Sequence, residues 1–184
     1  MTNEADVRAR TGLQEFRRIA YTEQDIARRV AEMGREITAA YPAGEDLLVL
    51  GLLKGSFIFL ADLVRQIARP LHVDFLVASS YGSGTVSSGD VRLVYDPDTE
   101  VAGRHVLLVE DIVDSGNTLN RLYPLLKARG PKSLDLCALL HKRIAPNLTW
   151  DARWVGFDAP SEFLVGYGLD HAENYRHLPY IASL

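Results

Sequence analysis

The sequence predicts an α/β fold with a mostly parallel central sheet. Three observations carry this. Four short runs are rich in apolar residues, and the first, Leu47 to Leu53, is continuously apolar rather than alternating, as in a strand buried on both faces. Segments of helical periodicity lie between them, and proline and glycine punctuate the joins at Pro42, Gly44, Gly130 and Pro131. The chain has 184 residues, 47% of them hydrophobic and 24% charged. This is globular composition, and the length suits a single domain, 1–184, with one core.

Residues 1–20 are polar and weakly patterned and read as a partly ordered arm. Thr22 can cap a helix with Asp25 at its third position, and Ile26, Val30, Met33 and Ile37 follow as one apolar stripe. LLVLGLL, Leu47 to Leu53, is the first buried strand, and a helix is expected from Phe57 to Ile67. Val73 to Ser79, Val106 to Val109 and Leu134 to Leu140 are the next strands; Trp154 to Phe157 and Phe163 to Val165 are shorter ones. The helix after Val109 should run to Gly130-Pro131, but Pro124 lies inside it. A proline there removes a backbone bond and clashes with the carbonyl of Asn120, so a kink, or a late start with Pro124 in the first turn, is expected.

Lys+Arg 20 against Asp+Glu 24 gives a net charge of −4 and a pI near 5.7, which disfavours a nucleic-acid-binding surface. No apolar run approaches the roughly 18 residues of a membrane span, and MTNEADVRAR lacks a signal core. One cysteine, Cys137, excludes an internal disulfide and any paired-cysteine metal motif, so a cytosolic protein is expected. His72, His105, His141, His171 and His177 form no metal-ligand spacing.

In parallel sheets ligands bind beyond the carboxyl ends of the strands. There VLLVEDIVDSGNTL, Val106 to Leu119, places adjacent carboxylates, Glu110 and Asp111, ahead of Asp114-Ser115-Gly116-Asn117-Thr118 at a helix start. A Gly/Ser/Thr turn at a helix N-terminus offers amides and hydroxyls to a phosphate. Adjacent carboxylates accept from vicinal hydroxyls or hold Mg²⁺. Together they describe a ribose 5-phosphate site. Asp114 can also be read as the helix cap.

VEDIVDSGNTL resembles the ribose-phosphate signature of the purine phosphoribosyltransferases of the hypoxanthine-guanine type. Other segments agree in order: LKGS, Leu53 to Ser56; SSYGSGTVSSG, Ser79 to Gly89; LLHKR, Leu139 to Arg143; and VGFDAPSEFLVGYGLDHAENYRHLPYI, Val155 to Ile181. The resemblance implies the type I phosphoribosyltransferase fold: a mostly parallel sheet flanked by helices, a flexible catalytic loop over 79–95, and a small hood to which 150–184 contributes. It implies transfer of ribose 5-phosphate from phosphoribosyl pyrophosphate to N9 of hypoxanthine or guanine, with Mg²⁺, in a homodimer or homotetramer. A xanthine-preferring enzyme and an RNA-binding regulatory relative are the alternatives.

By the same resemblance Asp114 is the general base near the purine N7, and Ser115, Gly116, Asn117 and Thr118 hold the 5-phosphate. Glu110 and Asp111 hold the ribose hydroxyls and a Mg²⁺; Asp170 contacts a second Mg²⁺. Lys54, Gly55 and Arg176 meet pyrophosphate, with a cis peptide before the lysine. Ser80 and Tyr81 reach it from the glycine-rich loop, which would close and exclude water. Lys142 faces the purine O6, Phe163 stacks on the base, and the backbone of Leu164 meets its edge. His171 stands where relatives often carry an aromatic residue.

Overall fold

The computed structural model describes residues 16–80, 91–142 and 148–184. The elements in chain order are β1 (Arg18–Tyr21), α1 (Glu23–Ala40), β2 (Leu47–Leu53), α2 (Phe57–Val64), β3 (Leu71–Ser80), β4 (Val91–Tyr95), β5 (His105–Val113), α3 (Asn117–Lys127), β6 (Ser133–His141), β7 (Trp154–Asp158), β8 (Leu164–Val165) and β9 (Ile181–Ser183). Two sheets form. The larger has the order β4-β3-β2-β5-β6-β7, and the smaller β1-β9-β8.

In the larger sheet β3, β2, β5, β6 and β7 are parallel, and β4 pairs antiparallel on the edge, Ser80 opposite Val91. The apolar runs become central strands because alternate residues feed two separate cores. Leu47, Val49, Leu107, Val109, Cys137 and Leu139 point to the side of α1 and α2. Leu48, Leu50, Val106, Leu108, Leu136 and Ala138 point to the side of α3. A strand with both faces buried has no polar positions to alternate with.

α1 begins as its sequence dictates: Thr22 Oγ1 accepts from the Asp25 amide at 3.2 Å, and Asp25 Oδ2 accepts from the Thr22 amide at 3.4 Å. Its buried stripe is Ile26, Val30, Met33 and Ile37. The hood is the small antiparallel sheet, in which both ends of the chain meet: Arg18 opposes Ser183, and Leu164 opposes Ser183 on the other side. It has its own core of Val165, Tyr175, Leu178, Tyr180 and Ala182, with Phe16 packed against it.

Four expectations change. Residues Arg18 to Ala20, assigned to the arm, begin β1, because their backbone groups pair with β9. Residues 91–95, assigned to the long loop, form β4; the sequence pattern there is too short to separate an edge strand from a loop. β5 extends past Val109 to Val113, so Glu110 and Asp111 lie within the strand. Finally, α3 starts at Asn117, so Pro124 sits in its second half and the late start does not occur. Burial of Leu119, Leu122 and Leu126, each worth about 1.5–3 kcal/mol, outweighs the ~3 kcal/mol penalty of an interior proline.

Candidate active site

The carboxyl edge of the parallel strands collects the residues singled out in the sequence. Lys54 and Gly55 follow β2, Glu110 to Val113 end β5, and Lys142 follows β6, its amide donating to Val113 O at 2.8 Å. The Leu53–Lys54 peptide is cis.

Gly55 lies directly against Asp111. A Cβ at position 55 would fall 1.7 Å from Asp111 Oδ2, so only glycine allows the carboxylate and the loop to occupy this space together. From the other side, a Cβ at Gly168 would fall 2.1 Å from the Gly55 carbonyl oxygen, and Gly168 has φ +103°, where L side chains are strained. The turn after β8 therefore packs backbone to backbone on the turn after β2.

The carboxylates are unusual. Glu110 Oε2 is sealed from solvent and has no hydrogen-bond partner among the described residues. Burial, reinforced by the neighbouring Asp111 charge, raises the Glu110 carboxyl well above its ordinary value. Burial also raises Asp111, to about 6, against the lowering influence of the Ile112 amide and Arg176. The Ile112 amide donates to Asp111 Oδ1 at 2.9 Å. Charged, such carboxylates are stabilised only by donors or cations brought beside them.

The loop after β5 encloses a cavity of about 90 Å³ lined by Glu110 and residues 112–119. α3 is entered through Gly116, left-handed at φ 76°, with no side-chain cap. Asp114 is therefore not the cap. Its carboxylate points elsewhere, and Lys142 Nζ donates to Asp114 Oδ2 at 3.1 Å. The lysine side chain is mostly buried, at 15% exposure, and the aspartate is open at 56%.

Asp170 and Arg176 form an ion pair at 2.7 Å, and Arg176 Nη1 donates to Gly168 O at 2.7 Å. Arg176 Nε is buried without a partner among the described residues. Glu173, passed over in the sequence, receives Lys54 Nζ at 3.1 Å and Arg176 Nη2 at 3.4 Å. Gly168 was passed over too. Two glycines either side of Tyr167 were a signal for it, and an acidic residue between Asp170 and Arg176 was a signal for Glu173.

Phe163 presents an exposed ring whose edge meets His171, centroids 5.5 Å apart. Leu164 is buried in β8. Ser80 ends β3, while Tyr81, residues 82–89 of the glycine-rich loop, and Arg143 lie outside the described residues. A larger cavity, about 440 Å³, opens between α1, α2 and the hood and contains none of these site residues.

Residues 20–172 match the phosphoribosyl transferase domain model. The chain belongs to the phosphoribosyltransferase family. Within this family it is 48% identical to hypoxanthine phosphoribosyltransferase of Salmonella typhimurium over 163 residues, 88% of this chain and 92% of that protein. It is 46% identical to hypoxanthine-guanine phosphoribosyltransferase of Dictyostelium discoideum over 171 residues, 91% and 95% of the two chains. A crystal structure of a hypoxanthine-guanine phosphoribosyltransferase from Bacillus anthracis superposes with a TM-score of 0.87 at 42% identity, covering 92% of this chain and 99% of that one. The type I phosphoribosyltransferase fold is thus the fold of this chain, with the β1-β9-β8 sheet as its hood. Among the described residues no helix is long and apolar enough to cross a membrane.

Proposed function

We propose that this phosphoribosyltransferase transfers ribose 5-phosphate from phosphoribosyl pyrophosphate to N9 of hypoxanthine or guanine, giving IMP or GMP and pyrophosphate, a purine-salvage reaction. The observation that carries the choice of base is the pair Lys142 and Asp114, 3.1 Å apart beside the 115–118 loop. A 6-oxopurine presents O6 and N7 on one edge. An ammonium and a carboxylate held side by side address both, one donating and the other taking or sharing a proton.

The rest of the chain's residues divide by charge. The Ser115 to Thr118 turn at the start of α3, with the Ser115 and Thr118 hydroxyls, suits the 5-phosphate. Glu110, which lines the cavity beside the 115–118 turn, and Asp111 accept from the ribose hydroxyls. Lys54, Gly55 and Arg176 receive the leaving pyrophosphate, with Ser80 and Tyr81 completing that side. Phe163, exposed, stacks on the purine, and the Leu164 backbone meets its edge. As N9 bonds to C1 of the ribose, the C1–oxygen bond to pyrophosphate breaks, and Asp114 holds the proton displaced from the base.

The acidic residues fit Mg²⁺ of one kind only. No group of three or more ligand side chains able to hold an ion occurs among the described residues. Glu110 and Asp111 on the ribose side and Asp170 on the pyrophosphate side fit an ion that arrives with substrate oxygens and keeps waters. Bound there, Mg²⁺ supplies charge neutralisation for the departing pyrophosphate. We place this activity in the cytosol, consistent with a single, buried and free Cys137, and in a homodimer or homotetramer, which the molar mass in solution tests.

The deciding experiment is kcat/KM for hypoxanthine, guanine, xanthine and adenine with phosphoribosyl pyrophosphate and Mg²⁺. Adenine should fall about 10⁴-fold or more below the preferred 6-oxopurine, as for a site built around a hydrogen bond the wrong substrate lacks. Comparable use of adenine overturns the assignment, and a preference for xanthine replaces hypoxanthine and guanine in it.

A further inference from the structure

Glu173 stands between the two cations assigned to the pyrophosphate group. Its Oε1 accepts from Lys54 Nζ at 3.1 Å and its Oε2 from Arg176 Nη2 at 3.4 Å. Lys54 has no other acceptor among the described residues, whereas Arg176 is also held by Asp170 and the Gly168 carbonyl.

The position of Glu173 is built rather than incidental. Ala172 and Glu173 both lie in the left-handed region, at φ 52° and 65°, where residues with a Cβ are uncommon. The turn that imposes this is closed on itself: the Glu173 amide donates to Asp170 Oδ2 at 2.9 Å, and His171 and Asn174 form an antiparallel bridge. Backbone strain of this kind persists where the surroundings over-determine it. An exposed carboxylate needs no such turn to reach water. This one is turned back onto Lys54 and Arg176. The contact is also open to solvent, with Lys54 67% and Glu173 66% exposed, so it contributes little to stability and is easily exchanged.

We propose that Glu173 is a built-in counter-ion that competes with the pyrophosphate group for Lys54 and Arg176. Its carboxylate occupies both cations in the free enzyme, gives way when phosphoribosyl pyrophosphate binds, and returns as pyrophosphate leaves. The proposal rests on the reading of Lys54 and Arg176 as pyrophosphate contacts. Two anions cannot share the same donors at full strength, so Glu173 lowers affinity for the polyphosphate group and favours release of the product, a step that limits turnover in many enzymes.

The test is calorimetric titration of inorganic pyrophosphate with Mg²⁺ into the full chain, at low and high salt. Glu173→Gln removes the charge and keeps the length; Glu173→Asn removes it in a residue that tolerates the left-handed region. Both should bind pyrophosphate about three- to tenfold more tightly at low ionic strength, with the gain shrinking at high salt, as screening requires. KM for phosphoribosyl pyrophosphate should fall in parallel while KM for hypoxanthine stays at the wild-type value. The gain should vanish in a Lys54→Ala background, which a purely structural role of Glu173 would not produce. Unchanged or weaker pyrophosphate binding in both variants overturns the proposal. Wild-type pyrophosphate binding by Lys54→Ala alone overturns instead the assignment of the subsite on which it rests.

Discussion

Replacing Gly55 by alanine tests the central contact of the site. The added methyl would stand 1.7 Å from Asp111 Oδ2, 2.5 Å from Cγ and 3.1 Å from Oδ1. Carbon and oxygen need roughly 3.3 Å or more without a hydrogen bond, so the nearest oxygen must retreat by about 1.5 Å. The carboxylate cannot turn in place, because its other oxygen holds the Ile112 amide at 2.9 Å. Retreat breaks that bond, worth about 1.5–3 kcal/mol for a charged acceptor. In a domain of this size each kcal/mol lowers Tm by about 2–4 °C, so the midpoint should fall by roughly 3–12 °C. The functional loss should be larger. A displacement of about 1 Å in a substrate-positioning group costs on the order of 10²-fold. Steady-state kinetics with phosphoribosyl pyrophosphate varied, beside a thermal melt of the same preparation, reads both. A Gly55→Ala enzyme within threefold of wild-type kcat/KM would show that the Asp111 carboxylate does not need this position, and the argument from close packing would fail.

Three further outcomes follow from the same geometry. Asp114→Asn should lower kcat by about 10²–10⁴-fold with little change in Tm, since Asp114 is exposed and does not cap α3; wild-type turnover removes it from the mechanism. Lys142→Met should cut kcat/KM for hypoxanthine and guanine by about a hundredfold, the worth of a bond to a charged group, and narrow the gap to adenine; retained discrimination would move base selection to the backbone around Leu164. Asp111, raised to about 6 in the fold from an ordinary 3.8, binds its proton more tightly in the native than in the unfolded chain. Its contribution to stability therefore falls as pH rises through the window between these values. Wild-type Tm should decline relative to Asp111→Asn from about pH 4 to 7; parallel Tm curves refute this.

Much of the molecule was legible from local chemistry. Leu47 to Leu53 could only be a central strand, because seven apolar residues in a row leave no face for water. Thr22 and Asp25 wrote the start of α1 into four residues. Glu110, Asp111, Asp114 and the Ser115 to Thr118 turn lie within one stretch of chain, so their proximity is local and readable. The hood strands β1 and β9 were not readable. Each is four residues or fewer, and each is a strand only because the other, from the opposite end of the chain, supplies its hydrogen bonds.

The sequence by itself determined the alternation of strands and helices, and it pointed to the carboxyl edge of the sheet and to most of the acids and cations gathered there, Glu173 excepted. Tertiary structure decided what touches what. Gly55 against Asp111, Gly168 against Gly55, Lys142 against Asp114 and Glu173 against Lys54 all join residues far apart in the chain. Such contacts follow from the parallel stacking of strands and from backbone turns in the left-handed region, which side-chain periodicity does not encode. The same holds for the proton affinity of Asp111. A carboxyl group carries its ordinary value in its own sequence, and only the walls that the fold places around it change that value.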